Sequence, residues 1–194
     1  MKTDIILAGV GGQGILSIAT ILGAAALRDD LYLKQAEVHG MSQRGGDVMS
    51  CLRISSTPIA SDLIPTGAAD LIVSLEPMEA LRYVQFLSPT GWIVSNTVPF
   101  VNIPDYPAIN DVINELERRD NVIAFDMDAT AKEVATQRSS NMVLLGAAST
   151  LIDIPTEKIE NGIRTIFAAK GEKMVESNLA AFRAGRLRAQ HREQ

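Results

Sequence analysis

A chain of 194 residues, 46% apolar and 21% charged, has an ordinary globular composition and is long enough to bury roughly 70% of the surface that its unfolded form exposes. Its net charge of -5 argues against a nucleic acid as the main partner, because phosphate binding draws on clustered Lys and Arg. Cys51 is the only cysteine, which excludes an internal disulfide and leaves too few thiolates for an iron-sulfur cluster or a cysteine-rich zinc site, so any redox centre must come from another chain.

In chain order, Asp4 to Ala8 is a short apolar strand, and Gly14 to Leu27 has the apolar period of a helix packed on a sheet. Strands follow at Leu31 to Ala36, at the alternating Asp47 to Ile54, and at the continuous apolar run Leu71 to Leu75, which reads as central. Glu76 and Pro77 open a helix through Val84, with proline in the first turn where its missing N-H does no harm. Trp92 to Ser95 and Val122 to Phe125 complete the strands, and the segment from Thr97 to Pro107 reads as a long loop. Helices are expected at Ile109 to Arg119, Ala129 to Thr136, Met142 to Leu151, Thr156 to Phe167 and Lys173 to Leu187. This order predicts an α/β fold, a three-layer Rossmann-like sandwich with a mostly parallel sheet, as a single domain over residues 1-194. The start at Met1 runs directly into a strand without a signal-like core, and no apolar run is long enough to span a bilayer; a cytoplasmic address and no membrane partner are expected. The basic end, from Arg183 to Arg192, reads as a solvated helix terminus.

Two loops concentrate the polar chemistry. AGVGGQGIL (residues 8-16) places glycines at G-x-G-x-x-G spacing between strand and helix: Gly9 for the tight turn, Gly11 for close approach of a ligand, Gly14 for close packing of the helix. Gly12 and Gln13 complete the loop, and the free N-H groups at the helix start make an anion site. Both a dinucleotide loop and a plain tight turn fit this pattern. Against the first, the expected acidic residue at the end of the second strand is missing; the first carboxylate, Glu37, falls late and in a loop, and Gln13 stands where a small residue is usual. EVHGMSQRGGDV (residues 37-48) gathers His39, Gln43 and Arg44 with Gly45 and Gly46, and is expected to leave the second strand beside the glycine loop. An arginine followed by two glycines can present its guanidinium to a ligand, or pair with a neighbour as part of a packed loop. His39 on its own is compatible with a proton carrier or with a hydrogen-bonded structural group.

Together, GVGGQGI, HGMSQRGGDV, LIVSLEPMEALR (residues 71-82) and NMVLLGA (residues 141-147) resemble the gamma-type domain of the 2-oxoacid:ferredoxin oxidoreductases, in order from about Asp4 to Ala169. As a small chain rather than part of a long one, it is most similar to the beta subunits of the indolepyruvate branch. The resemblance implies oxidative decarboxylation of indolepyruvate or another aryl 2-oxoacid, with coenzyme A as co-substrate and ferredoxin as electron acceptor. It implies that this chain binds no cofactor or metal of its own and has no catalytic residue of its own. Thiamine diphosphate, Mg and [4Fe-4S] clusters would sit on a large (alpha) partner subunit, and the whole would be inactive without that partner. The loops of Gly9 to Gly14 and Glu37 to Gly46, with Asn141, would then cover one side of the partner's active site. Two rival readings stay open: a stand-alone NAD(P)-dependent oxidoreductase, and a purely structural subunit whose Met41, Met49 and Phe100 form contact surface.

Overall fold

The computed structural model describes residues 1-39, 45-101 and 103-191. Six strands form one sheet: β1 (Lys2–Val10), β2 (Tyr32–His39), β3 (Asp47–Ser55), β4 (Ala69–Ser74), β5 (Leu87–Asn96) and β6 (Val122–Phe125), in the order β2-β3-β1-β4-β5-β6. The pairs β1-β4, β4-β5 and β5-β6 are parallel, while β3 runs antiparallel to both β1 and β2. The mostly parallel sheet is therefore as expected, with one difference that matters for function. β2 is not the neighbour of β1, because β2 and β3 make an antiparallel pair and β3 carries that pair onto β1. Antiparallel strands need only a short connection, whereas a parallel partner needs a crossover of a dozen residues or more.

Period-two alternation divides β1 between two cores. Ile5 and Leu7 face the larger one, and Ile6 and Ala8 the smaller, so the strand is covered on both faces. The larger core is built with α1 (Ile15–Leu27), α4 (Met127–Val134), α5 (Ser140–Ala148), α6 (Thr156–Phe167) and α7 (Glu172–Gln190). The smaller is closed by α2 (Pro77–Arg82), with Ala80 buried, and α3 (Ile109–Glu117), with Leu116 buried. These are the three expected layers.

Local chemistry sets the helix boundaries. The Glu76 carboxylate accepts the Glu79 N-H at 2.8 Å and starts α2, which ends at Arg82 and passes into a 3-10 turn at Val84–Phe86 instead of continuing through Val84. The Asp126 carboxylate accepts the Ala129 N-H at 2.7 Å, so α4 begins at Met127, two residues before the sequence pattern suggested. α5 is buried at all nine positions, being enclosed between the sheet and α7. None of the described helices is long and apolar enough to cross a membrane. The basic residues of α7 are engaged on its surface: Arg183 with Glu160, Arg186 with the Ser149 hydroxyl, and Arg188 with Glu133.

Candidate functional site

The glycine loop lies at the carboxyl ends of β1 and β4, where open α/β sheets hold their ligands. Its geometry reassigns the glycines. Gly9 does not make the turn; it lies within β1, paired with Val48. The turn is carried by Gly12 (φ 102°) and Gly14 (φ 82°), conformations that L side chains resist. Gly14 is close to α5 rather than to the sheet, since a Cβ there would lie 2.8 Å from Asn141 Nδ2. Gly11 donates to the Gly46 carbonyl at 2.8 Å and accepts from the Gly45 N-H at 3.3 Å, so the two loops meet as expected through their glycines.

Gln13 and Asn141 are braces. Gln13 Oε1 accepts the Val10 N-H at 2.7 Å and its Nε2 donates to the Leu75 carbonyl at 3.2 Å, closing the loop onto the end of β4. Asn141 Nδ2 donates to the Gly14 carbonyl at 3.2 Å, tying the first turn of α5 to the start of α1. Gly14 caps α1 without a side-chain hydrogen bond and its carbonyl takes the Ser17 N-H at 3.1 Å, so the Ile15 and Leu16 N-H groups are the ones that stay available to an anion. The backbone of His39 pairs with Val48 at the end of β2. Gln43, Arg44 and Met41 lie outside the described residues.

Gly12, Gln13, Gly14 and Asn141 border a cleft of about 520 Å³. Of its other walls, Phe100 was read from the sequence only as contact surface, and the polar ones were not read at all. Asn96 at the end of β5 donates to Asp128 Oδ1 at 3.2 Å and accepts the Met127 N-H at 3.0 Å, while Gln137 holds the second Asp128 oxygen at 2.9 Å. Phe100 supplies an apolar wall and Arg138 a cation. The buried Glu76 carboxylate fastens the loop that carries Phe100, accepting the Phe100 N-H at 3.4 Å and the Tyr106 hydroxyl. Burial first, then the bond to Glu76, holds the Tyr106 phenol well above the usual tyrosine range. On the smaller-core side, burial pushes the Tyr83 phenol up to about 12, reinforced by Asp47, the β3 residue paired with Val10 beside the loop. The signal that could have found Asn96 and Asp128 is polar residues at or just after the carboxyl ends of parallel strands.

The arrangement offers backbone donors and Arg138 to an anionic group, an aromatic wall, and a fixed carboxylate. It is a poor dinucleotide site. Glu37 is part of β2 and pairs with Ser50 of β3, which puts it two strand spacings, about 10 Å, from β1 and out of reach of a ribose held on the glycine loop. Among the described residues, no group of three or more His, Cys, Asp or Glu side chains is placed to hold a metal ion.

The family model described as pyruvate ferredoxin/flavodoxin oxidoreductase matches residues 4–187. The chain belongs to that family. It is 35% identical over 192 residues to "Indolepyruvate oxidoreductase subunit IorB" of Methanothermobacter thermautotrophicus, covering 95% of this chain and 96% of the relative. Among solved structures it is similar to the gamma subunit of a keto/oxoacid ferredoxin oxidoreductase from Geobacter sulfurreducens, with a TM-score of 0.71, 25% identity, and coverage of 97% of this chain and 99% of the other. It is also similar to part of a 2-oxoglutarate:ferredoxin oxidoreductase from Magnetococcus marinus described with 2-oxoglutarate, coenzyme A and succinyl-CoA bound. The TM-score there is 0.72 and the identity 26%; the match covers 98% of this chain but 31% of that longer one. The same fold thus occurs as a separate subunit and as a segment of a longer oxidoreductase chain.

Proposed function

We propose that this chain, as one gamma-type domain over residues 1-194, is the small subunit of a cytoplasmic 2-oxoacid:ferredoxin oxidoreductase acting on indolepyruvate or another aryl 2-oxoacid. The observation that carries this reading is the end-to-end match to an indolepyruvate oxidoreductase subunit. In the proposed reaction the oxoacid loses its carboxylate as carbon dioxide, the acyl group passes to coenzyme A, and the electrons pass to ferredoxin.

The large partner subunit is the proposed holder of thiamine diphosphate, Mg and the [4Fe-4S] clusters. The donor set of this chain does not fit those groups. Its one thiol, Cys51, is buried, and the sequence contains no Gly-Asp-Gly segment followed by paired asparagines to hold a magnesium diphosphate. The role proposed for this chain is to wall the partner's active site with the glycine-loop cleft. The Ile15 and Leu16 N-H groups at the start of α1 and the Arg138 guanidinium would receive a carboxylate or phosphate. Phe100 and the braced Gln13 and Asn141 would keep water from the reacting centre.

Capture of the tagged chain from its native lysate tests the reading. A large partner arriving with both thiamine diphosphate and iron is the expected result. Recovery of the chain alone with a nicotinamide dinucleotide bound would overturn it.

A further inference from the structure

Among the described residues, most cations are engaged. Most described Lys and Arg side chains contact a carboxylate. Arg28, Lys34 and Arg186 donate instead to Thr165, the Ala60 carbonyl and Ser149. Only Lys132, Arg138, Lys170 and Lys173 are left, among the described residues, with no hydrogen bond or ion pair. Three of these four, all but Lys132, line a single cavity of about 550 Å³.

Among the described residues no carboxylate lines that cavity, in a chain whose net charge is -5. Of the carboxylates on α4 and α7, Asp128 is held by Asn96 and Gln137, Glu133 by Arg188 and Glu176 by Arg164, while Glu172 opens α7 outside the lining. Three helix starts add positive potential: Ser17 belongs to the first turn of α1, Ser139 and Asn141 to that of α5, and Lys173 to that of α7. Phe167 and Met174 give the cavity an apolar portion, and Lys170 Nζ lies 5.3 Å from the Phe167 ring centroid.

We propose that this cavity binds a phosphate-bearing small molecule. Its phosphate sits among Arg138, Lys170 and Lys173, and its apolar part lies on Phe167 and Met174. Arginine offers a planar fork of donors and each lysine a point charge, and three cations together match the charge of about -1.5 to -2 on a phosphate monoester better than that of a single carboxylate. The site adjoins the proposed substrate cleft and shares Arg138 with it. Arg138 and Asn141 border both spaces, but Lys170 and Lys173 border only this one.

The test is calorimetric titration of the full chain with inorganic pyrophosphate at low ionic strength. Saturable one-to-one binding is expected, weakened at least about tenfold in the double variant Lys170→Gln/Lys173→Gln, as for one lost charge-assisted bond. Lys170→Arg/Lys173→Arg should retain it, and Lys132→Gln, which removes the unpaired cation outside the cavity, should leave it unchanged. Absence of saturable binding, or equal weakening by Lys132→Gln, would overturn the proposal. Tighter binding of a poly-glutamate peptide than of pyrophosphate would overturn it too, in favour of an acidic segment of another protein. None of these outcomes depends on the identity of the oxoacid, so this proposal and the proposed function stand or fall separately.

Discussion

Glycine does opposite work at two places in this molecule. Where α5 crosses α7, the demand comes from the neighbour: a Cβ on Gly146 would lie 1.9 Å from the Phe182 carbonyl oxygen, and one on Gly185 would lie 2.0 Å from that of Val143. In the loop after β1 the demand comes from the glycine's own backbone. Gly12 has φ 102° yet nothing within 4 Å of where its Cβ would be. The first pair seals two helices together and leaves no room for anything else. The second leaves space open beside uncapped helix N-H groups, as a ligand or a partner surface requires. Glycine content alone does not separate a packing contact from a site; what a side chain would meet does.

The largest effect is expected at the crossing. Gly146→Ala has to push α7 away from α5, because the obstacle is backbone and no rotamer relieves it. Overpacking of this kind should destabilise by about 3 kcal/mol, lowering the melting temperature by roughly 6-12 °C. A melting curve within a degree or two of the parent would mean that the helices slide apart freely and that the contrast with the loop is false.

Gly14→Ala combines both demands. It meets Asn141 Nδ2 at 2.8 Å and sits at φ 82°, so a loss of about 2 kcal/mol is expected from left-handed strain plus the displaced amide. Because the obstacle is a side chain, Asn141→Ala should recover part of the loss, with a coupling of about 0.5-1 kcal/mol in a double-mutant cycle from chemical denaturation. Strict additivity would show that Gly14 is required by its backbone angle alone.

The same distinction explains what was legible in the sequence. β6 (Val122–Phe125) and α6 (Thr156–Phe167) match the sequence pattern to the residue, because each is bounded by local chemistry: Asn121 and the capping Asp126 for the strand, Pro155 for the helix. The expectation that the loop after the second strand lies beside the glycine loop holds at its described end, through the bonds of Gly11 to Gly45 and Gly46. Strand order was less accessible. The insertion of β3 between β1 and β2 depends on long-range pairing that leaves no local mark, and it moved Glu37 from a loop beside the site to a strand two places away. Asn96 and Asp128 were overlooked for a related reason, being 32 residues apart and joined only because β5 and β6 end side by side. Gly146 and Gly185 gave no signal either, since a small residue in an apolar helix looks the same whether or not another backbone crosses it.

Gly12→Ala should change stability least and function most. With open space around the new methyl, only the backbone strain remains, about 1 kcal/mol, or roughly 2-4 °C in melting temperature. The methyl would project into the space that the cleft and the uncapped start of α1 offer to a ligand, so in the assembled complex turnover should fall while association with the large subunit survives. Loss of association with unchanged turnover per assembled complex would make the loop a docking surface, with the site-completing role removed. A fall in turnover at full assembly instead separates the loop from the α5-α7 crossing, where substitution should act through stability alone.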